Sequence, residues 1–262
     1  MAFLLGKCAV VTGSTSGIGK AIATALAAEG ASIMLNGFGD AAEIENLRRG
    51  LARRHGARVS YNGADVSKPA EIRALVQAAE KELGSVDILV NNAGIQHVAR
   101  IVEFPEDKWD AIIAINLSAA FHATKAALPG MMRRKWGRIV NIASMHGLVA
   151  SIEKAAYVAA KHGIVGLTKV TALETANAGI TCNAICPGWV RTPLVEKQIE
   201  ARAKREGKPV EQAAKELLGE KQEMLQFVTV EQLAALVVFL CSDGAATMTG
   251  TALPVDGGWW AR

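Results

Sequence analysis

Tyr157 and Lys161 stand four residues apart, and Ser144 precedes the tyrosine by thirteen. Four residues make about one helical turn, so a helix here stacks the lysine beside the phenol on one face. A free tyrosine ionises near ~10 and is a weak base at neutral pH. A neighbouring ammonium favours the phenolate and is expected to lower that value. The result is a proton acceptor suited to an alcohol, with a serine hydroxyl available to hold the same oxygen. The pair alone is common on helices, so its weight depends on what surrounds it.

Short β-branched runs alternate with longer helical stretches. Residues 8–11, 32–36, 58–62, 86–91, 138–142, 180–185 and 252–255 read as strands. Helices are expected over 17–29, 42–55, 69–83, 106–134, 155–176 and 229–240. Strict alternation with almost wholly apolar strands implies an α/β fold. The expected form is a single-domain, doubly wound, Rossmann-like parallel sheet of about seven strands with helices on both faces. The stretch 191–226, rich in Lys, Glu, Gln and Ala, breaks the rhythm and reads as two short helices. It is either a substrate lid or a solvated helical insertion.

At 262 residues, half of them hydrophobic, the chain can bury one large core. A net charge of +4 without a basic arm argues against nucleic acid as a partner. No apolar stretch approaches ~20 residues, and the N-terminus lacks signal-peptide flanks, so a soluble, cytoplasmic protein with no membrane partner is expected. Cys8, Cys182, Cys186 and Cys241 lie in apolar surroundings, and the C-x3-C spacing of the middle pair is neither a redox nor a zinc motif. They read as reduced core thiols. His55, His97, His122 and His162 show no metal-ligand spacing, so no metal is expected.

The first strand runs straight into TGSTSGIG at 12–19. Glycines allow a tight turn and close approach to a pyrophosphate, and the next helix offers unpaired N–H groups and a positive dipole end. The spacing is G-x3-G-x-G rather than the better-known dinucleotide fingerprint. Gly13, Ser14, Thr15, Gly17, Ile18 and Gly19 are therefore cofactor candidates. After the second strand come Asn36, Gly37, Phe38, Gly39 and Asp40, with no Arg or Lys to receive a 2′-phosphate, which favours NAD over NADP. Phe38 packs either beside the adenosine or on the protein. Further candidates follow later strands: Asp65 and Val66, then Asn92, Ala93 and Gly94, then Pro187, Gly188, Val190 and Thr192. In open parallel sheets the ligand crevice lies at these carboxyl ends.

Together these motifs, with Asn116 in the long helix, resemble the short-chain dehydrogenase/reductase family over essentially the whole chain. Within it, NGFG at 36–39, GIQH at 94–97, HGLVAS at 146–151, CPGWVRTPLVEKQ at 186–198 and DGGW at 256–259 are most similar to the bacterial D-3-hydroxybutyrate dehydrogenases. The resemblance implies a catalytic set of Asn116, Ser144, Tyr157 and Lys161, in which Lys161 also binds the nicotinamide ribose and Asn116 helps fix a proton-relay water. It implies that Gln96, His146, Lys154 and Gln198 hold a substrate carboxylate, with Trp189 as an apolar wall. It also implies a homotetramer. Met145 and Trp260 depart from the pattern, raising the expectation of a crowded loop and an altered tail.

The residues themselves are compatible with this substrate. Lys154 lies three before Tyr157 and His146 two after Ser144, so both are tethered near the reacting oxygen. A cation with several neutral donors suits one small carboxylate. Alternatively, Lys154 is a surface lysine and His146 a loop-packing histidine. Two other functions compete: an NADP-dependent 3-oxoacyl thioester reductase and a non-catalytic dinucleotide-sensing protein on the same fold. Trp259 and Trp260 suit either a subunit contact or a self-packed tail.

Overall fold

The apolar runs pair in parallel, in the order β3-β2-β1-β4-β5-β6-β7. The strands are β1 (Cys8–Val11), β2 (Ser32–Asn36), β3 (Val59–Asn62), β4 (Ile88–Asn91), β5 (Gly137–Ile142), β6 (Ile180–Pro187) and β7 (Ala252–Val255). This computed structural model describes residues 2–261. The helices are α1 (Gly17–Ala28), α2 (Ala41–His55), α3 (Pro69–Leu83), α4 (Glu106–Ile113), α5 (Ala119–Arg134), α6 (Ala155–Thr175), α7 (Pro193–Glu206), α8 (Val210–Gly219) and α9 (Val230–Cys241).

Alternation along a strand sends neighbouring side chains to opposite faces. Ala9 and Val11 join Ile22 and Leu26 of α1 and Val237 and Leu240 of α9 in one core. Cys8 and Val10 join Leu75 and Val76 of α3 and Ala123, Ala127 and Met131 of α5 in the other. A fully buried Ile or Leu of this kind contributes about 1.5–3 kcal/mol. All four cysteines are buried and free. The order reverses direction between β1 and β4, which opens a crevice at their carboxyl ends.

Two expectations are revised. The helix expected over 106–134 is interrupted by a π-helical turn at Ala114–Ser118. There Asn116 hydrogen-bonds both backbone groups of Ile95, each at 2.9 Å; such wide turns recur at functional sites. An 18-residue stretch within Glu106–Arg134 also reaches a mean hydropathy of 1.4, enough by length and composition alone to cross a membrane, where none was expected. Here its inward residues are part of the core beside α3 and β4.

The stretch 191–226 does form two helices, and they share a small apolar cluster of their own, centred on Ile199, Ala203, Ala213 and Ala214. Arg191 bridges Glu196 and Glu211, tying the start of the segment to α8.

Candidate active site

Ser144 leaves β5 in extended conformation and its Oγ accepts a hydrogen bond from the His146 backbone N–H at 3.1 Å. Opposite, α6 brings Tyr157 and Lys161 into the same cavity. The Ser144 hydroxyl favours the Tyr157 phenolate. Lys161 is buried and donates to the carbonyl of Ile142 at 2.6 Å, with its ammonium 5.6 Å from the Tyr157 ring centre.

This corrects one electrostatic expectation. Burial pushes the Tyr157 phenol above its ordinary value, while the Ser144 hydroxyl pulls the other way. The lysine is itself pushed down to about 8 by burial. One of its three N–H groups is spent on the Ile142 carbonyl, and the tyrosine's shift is set by burial and Ser144.

The same cavity, about 170 Å³, is lined by Gln96, His146, Lys154, Trp189 and Gln198. His146 is 5% exposed, with its ring nitrogens 3.4 Å from Ser144 Oγ and 2.9 Å from Ser151 Oγ. Burial, then the charges of Lys154 and Lys221, hold its pKa down at about 3, so the ring is neutral at physiological pH. Lys154 caps the start of α6 and rests 5.2 Å from the Trp189 ring centre; burial and the charge of Lys221 lower its pKa. Gln96 Nε2 and Trp189 Nε1 are buried without a protein partner. No Asp or Glu occurs among the described residues lining this cavity.

A second compartment of about 390 Å³ adjoins it; Ile18, Asn92, Gly94, Ile95 and Thr192 line both. Its walls include Gly13, Thr15, Gly17, Phe38, Asp65, Val66 and Ala93. The backbone is close-packed behind them. A Cβ on Gly19 would lie 2.3 Å from the Gly13 carbonyl oxygen, so only glycine lets α1 begin here. Gly37 has φ +141° and a Cβ there would meet Thr15 Oγ1 at 2.8 Å. Thr15 Oγ1 donates to the Phe38 carbonyl and Tyr61 Oη to that of Gly37, both at 2.8 Å, which shapes the rim. Phe38 is 68% exposed, so it stands out from the protein at the cleft mouth. Pro187, Gly188 and Val190 line the inner compartment beneath Trp189. Among the described residues no group of metal-ligating side chains forms.

Three expected site residues do not line either compartment. Ser14 is buried, with its hydroxyl bonded to the backbone of Asn36. Gly19 lies behind the glycine turn. The Asn116 amide bonds both backbone groups of Ile95, so its side chain braces the loop carrying Gln96. Conversely, Met145 does not crowd its loop; it is fully buried against Ile164 and Val165.

Sequence reasoning missed Trp259 as a wall. It is buried, edge-on to His146 at 5.3 Å and stacked on Trp189 at 6.3 Å. Trp260 is half exposed, and its backbone N–H donates to Asp256. It also missed Gln222, whose Oε1 accepts from the Trp189 backbone N–H at 2.8 Å. The DGGW ending was a signal for the first; for the second there was none.

Comparison with known proteins agrees with this geometry. The family model described as enoyl-(acyl carrier protein) reductase matches residues 13–260. The chain is 62% identical to the D-beta-hydroxybutyrate dehydrogenase of Cupriavidus necator, covering 99% of this chain and 100% of that one. It is 52% identical to the D-beta-hydroxybutyrate dehydrogenase of Rhizobium meliloti, covering 98% and 99%. Among solved structures, a variant actinorhodin polyketide ketoreductase with NADPH superposes with a TM-score of 0.91 at 37% identity, over 98% of each chain.

Proposed function

The chain belongs to the short-chain dehydrogenase/reductase family, and on that premise we propose that it interconverts D-3-hydroxybutyrate and acetoacetate with NAD as hydride carrier. The observation that carries this reading is the inner cavity: Lys154, His146, Gln96 and Gln198 converge on Ser144 and Tyr157 without an opposing carboxylate among the described lining. A small carboxylate there meets charge-assisted donors worth about 1.5–3 kcal/mol each. An acceptor oxygen also answers the unpartnered Gln96 Nε2. The high identity to an enzyme named for this substrate supports the same choice.

The close-packed glycine turn and the long outer compartment fit a dinucleotide. Asp65 is the single charged residue among its described lining, and a 2′-phosphate finds no cation there, which supports NAD. When bound, the nicotinamide supplies the hydride acceptor. In oxidation the Tyr157 phenolate takes the alcohol proton, and the Ser144 hydroxyl holds the same oxygen by a hydrogen bond. Neutral His146 orients Ser144 rather than exchanging that proton, since it takes one only near pH 3. Trp189 and Trp259 close the apolar side. Lys161, anchored on Ile142, presents its charge in the inner cavity, and the ribose belongs beside it.

The segment 191–226 serves as a lid in this reading. Its helices carry their own apolar cluster and ion pairs, so they can move as a unit, and they contribute Val195 and Gln198 to the cavity. Exposed Phe121, Val170 and Leu173 on α5 and α6 support assembly into a homotetramer. Four free thiols suit a reducing cytoplasm.

Initial rates with D- and L-3-hydroxybutyrate and each oxidised cofactor test the proposal. The D-acid with NAD is expected to be the preferred pair. Faster reduction of an acetoacetyl thioester with NADPH than of free acetoacetate with NADH refutes it.

A further inference from the structure

We propose that Lys221 is a specificity-determining residue: a second cation, set behind the stacked indoles, that tunes the inner cavity for an anion over a neutral ligand of the same shape. The proposal rests on the hydroxy-acid reading above.

The lysine is held in place through its neighbours. Its backbone N–H donates to Leu218 at the end of α8 at 3.0 Å. Gln222, next in the chain, is 1% exposed. Its carboxamide accepts from the Trp189 N–H at 2.8 Å and donates to the carbonyls of Met224 and Gln226 at 3.3 and 3.1 Å. Lys221 is therefore tied to the loop that forms the cavity wall.

The Lys221 ammonium lies 5.9 Å from the Trp259 ring centre, and that of Lys154 lies 5.2 Å from the Trp189 ring centre. The two indoles stack at 24°. Two cations thus share one aromatic wall. Three other cations of the same segment are matched: Arg191 with Glu196, Arg202 with Glu220, Lys208 with Glu216. Lys221 instead faces an indole. Its field reaches Lys154 and His146, adding to burial in disfavouring charge on each.

Like charges on one aromatic wall repel, and an anion entering the cavity relieves that repulsion. A neutral alcohol gains nothing from it. Lys221 sits over Trp259 and is not among the residues lining the cavity, so its effect is through space rather than by a hydrogen bond, of roughly tenfold in apparent affinity for a unit anion.

The test uses the full-length enzyme with Lys221→Met and Lys221→Arg. With saturating NAD, Lys221→Met is expected to raise the KM for D-3-hydroxybutyrate roughly tenfold. Its kcat and its KM for NAD should stay within about twofold, and the KM for the methyl ester of the acid should not move. Lys221→Arg should restore the acid's KM. An unchanged KM for the acid, or equal losses on acid and ester, overturns the proposal. Should the wild type not oxidise 3-hydroxybutyrate, the substrate reading fails by itself. Acetate titrated against tryptophan fluorescence then reads the cation directly. Weaker acetate binding by Lys221→Met than by wild type and Lys221→Arg supports the proposal, and equal binding sinks it.

Discussion

Replacing Lys154 with Met keeps a long apolar stem against Trp189 and removes only the ammonium. That ammonium is set 5.2 Å from the indole centre, and its hydration is already reduced by burial, which lowers its pKa. A ligand carboxylate therefore meets a partly desolvated donor. The lost interaction is a charge-assisted hydrogen bond of about 1.5–3 kcal/mol, or roughly a 10- to 150-fold rise in KM for D-3-hydroxybutyrate. The outer compartment does not include Lys154, so the KM for NAD should hold within about twofold. Removing one of two neighbouring cations also relieves repulsion from Lys221, so the thermal midpoint should not fall. The assay is initial-rate kinetics with acid and cofactor varied in turn, beside a melting curve. Parallel losses for acid and NAD, or a lowered melting point with an unchanged KM for the acid, show the lysine to be structural and refute the argument.

Three further outcomes are expected. Because burial raises the Tyr157 phenol, kcat/KM for alcohol oxidation should climb with pH well above neutrality, while ketone reduction, which needs the phenol, stays flat until the alkaline range; a flat oxidation profile contradicts this. His146 has a folded pKa of about 3 against an ordinary 6.5, so the unfolded chain binds its proton first as pH falls. Its contribution is complete above about pH 6.5 and declines toward 3, by about 2 kcal/mol between pH 7 and 5; urea melts at both pH values should show that slope shrinking in His146→Gln. Gly37→Ala forces a side chain into φ +141° and against Thr15 Oγ1, so it should cost about 1–3 kcal/mol and weaken NAD binding, read by melting and by cofactor titration.

The sheet was legible because its signals are local. Strands buried on both faces must be apolar throughout, and strictly alternating elements leave few topologies open. β1, β2, α3 and β7 fall where the pattern puts them. Boundaries moved where tertiary contacts intervene: β6 runs on to Pro187 because β7 pairs with it there. The π-turn at 114–118 was hidden, because what accompanies it is a side-chain bond to Ile95, twenty-one residues away.

The same division runs through the site. Spacing alone put Tyr157 and Lys161 on one helical face, and the glycines announced the turn before α1, since both are short-range facts about backbone geometry. Which group accepts the Lys161 hydrogen bond, where the Asn116 amide points, and whether Trp259 turns inward were decided by distant strands and loops closing around them. A sequence states which donors and charges a chain possesses. Packing decides which of them are used up inside the protein and which are left facing the cleft.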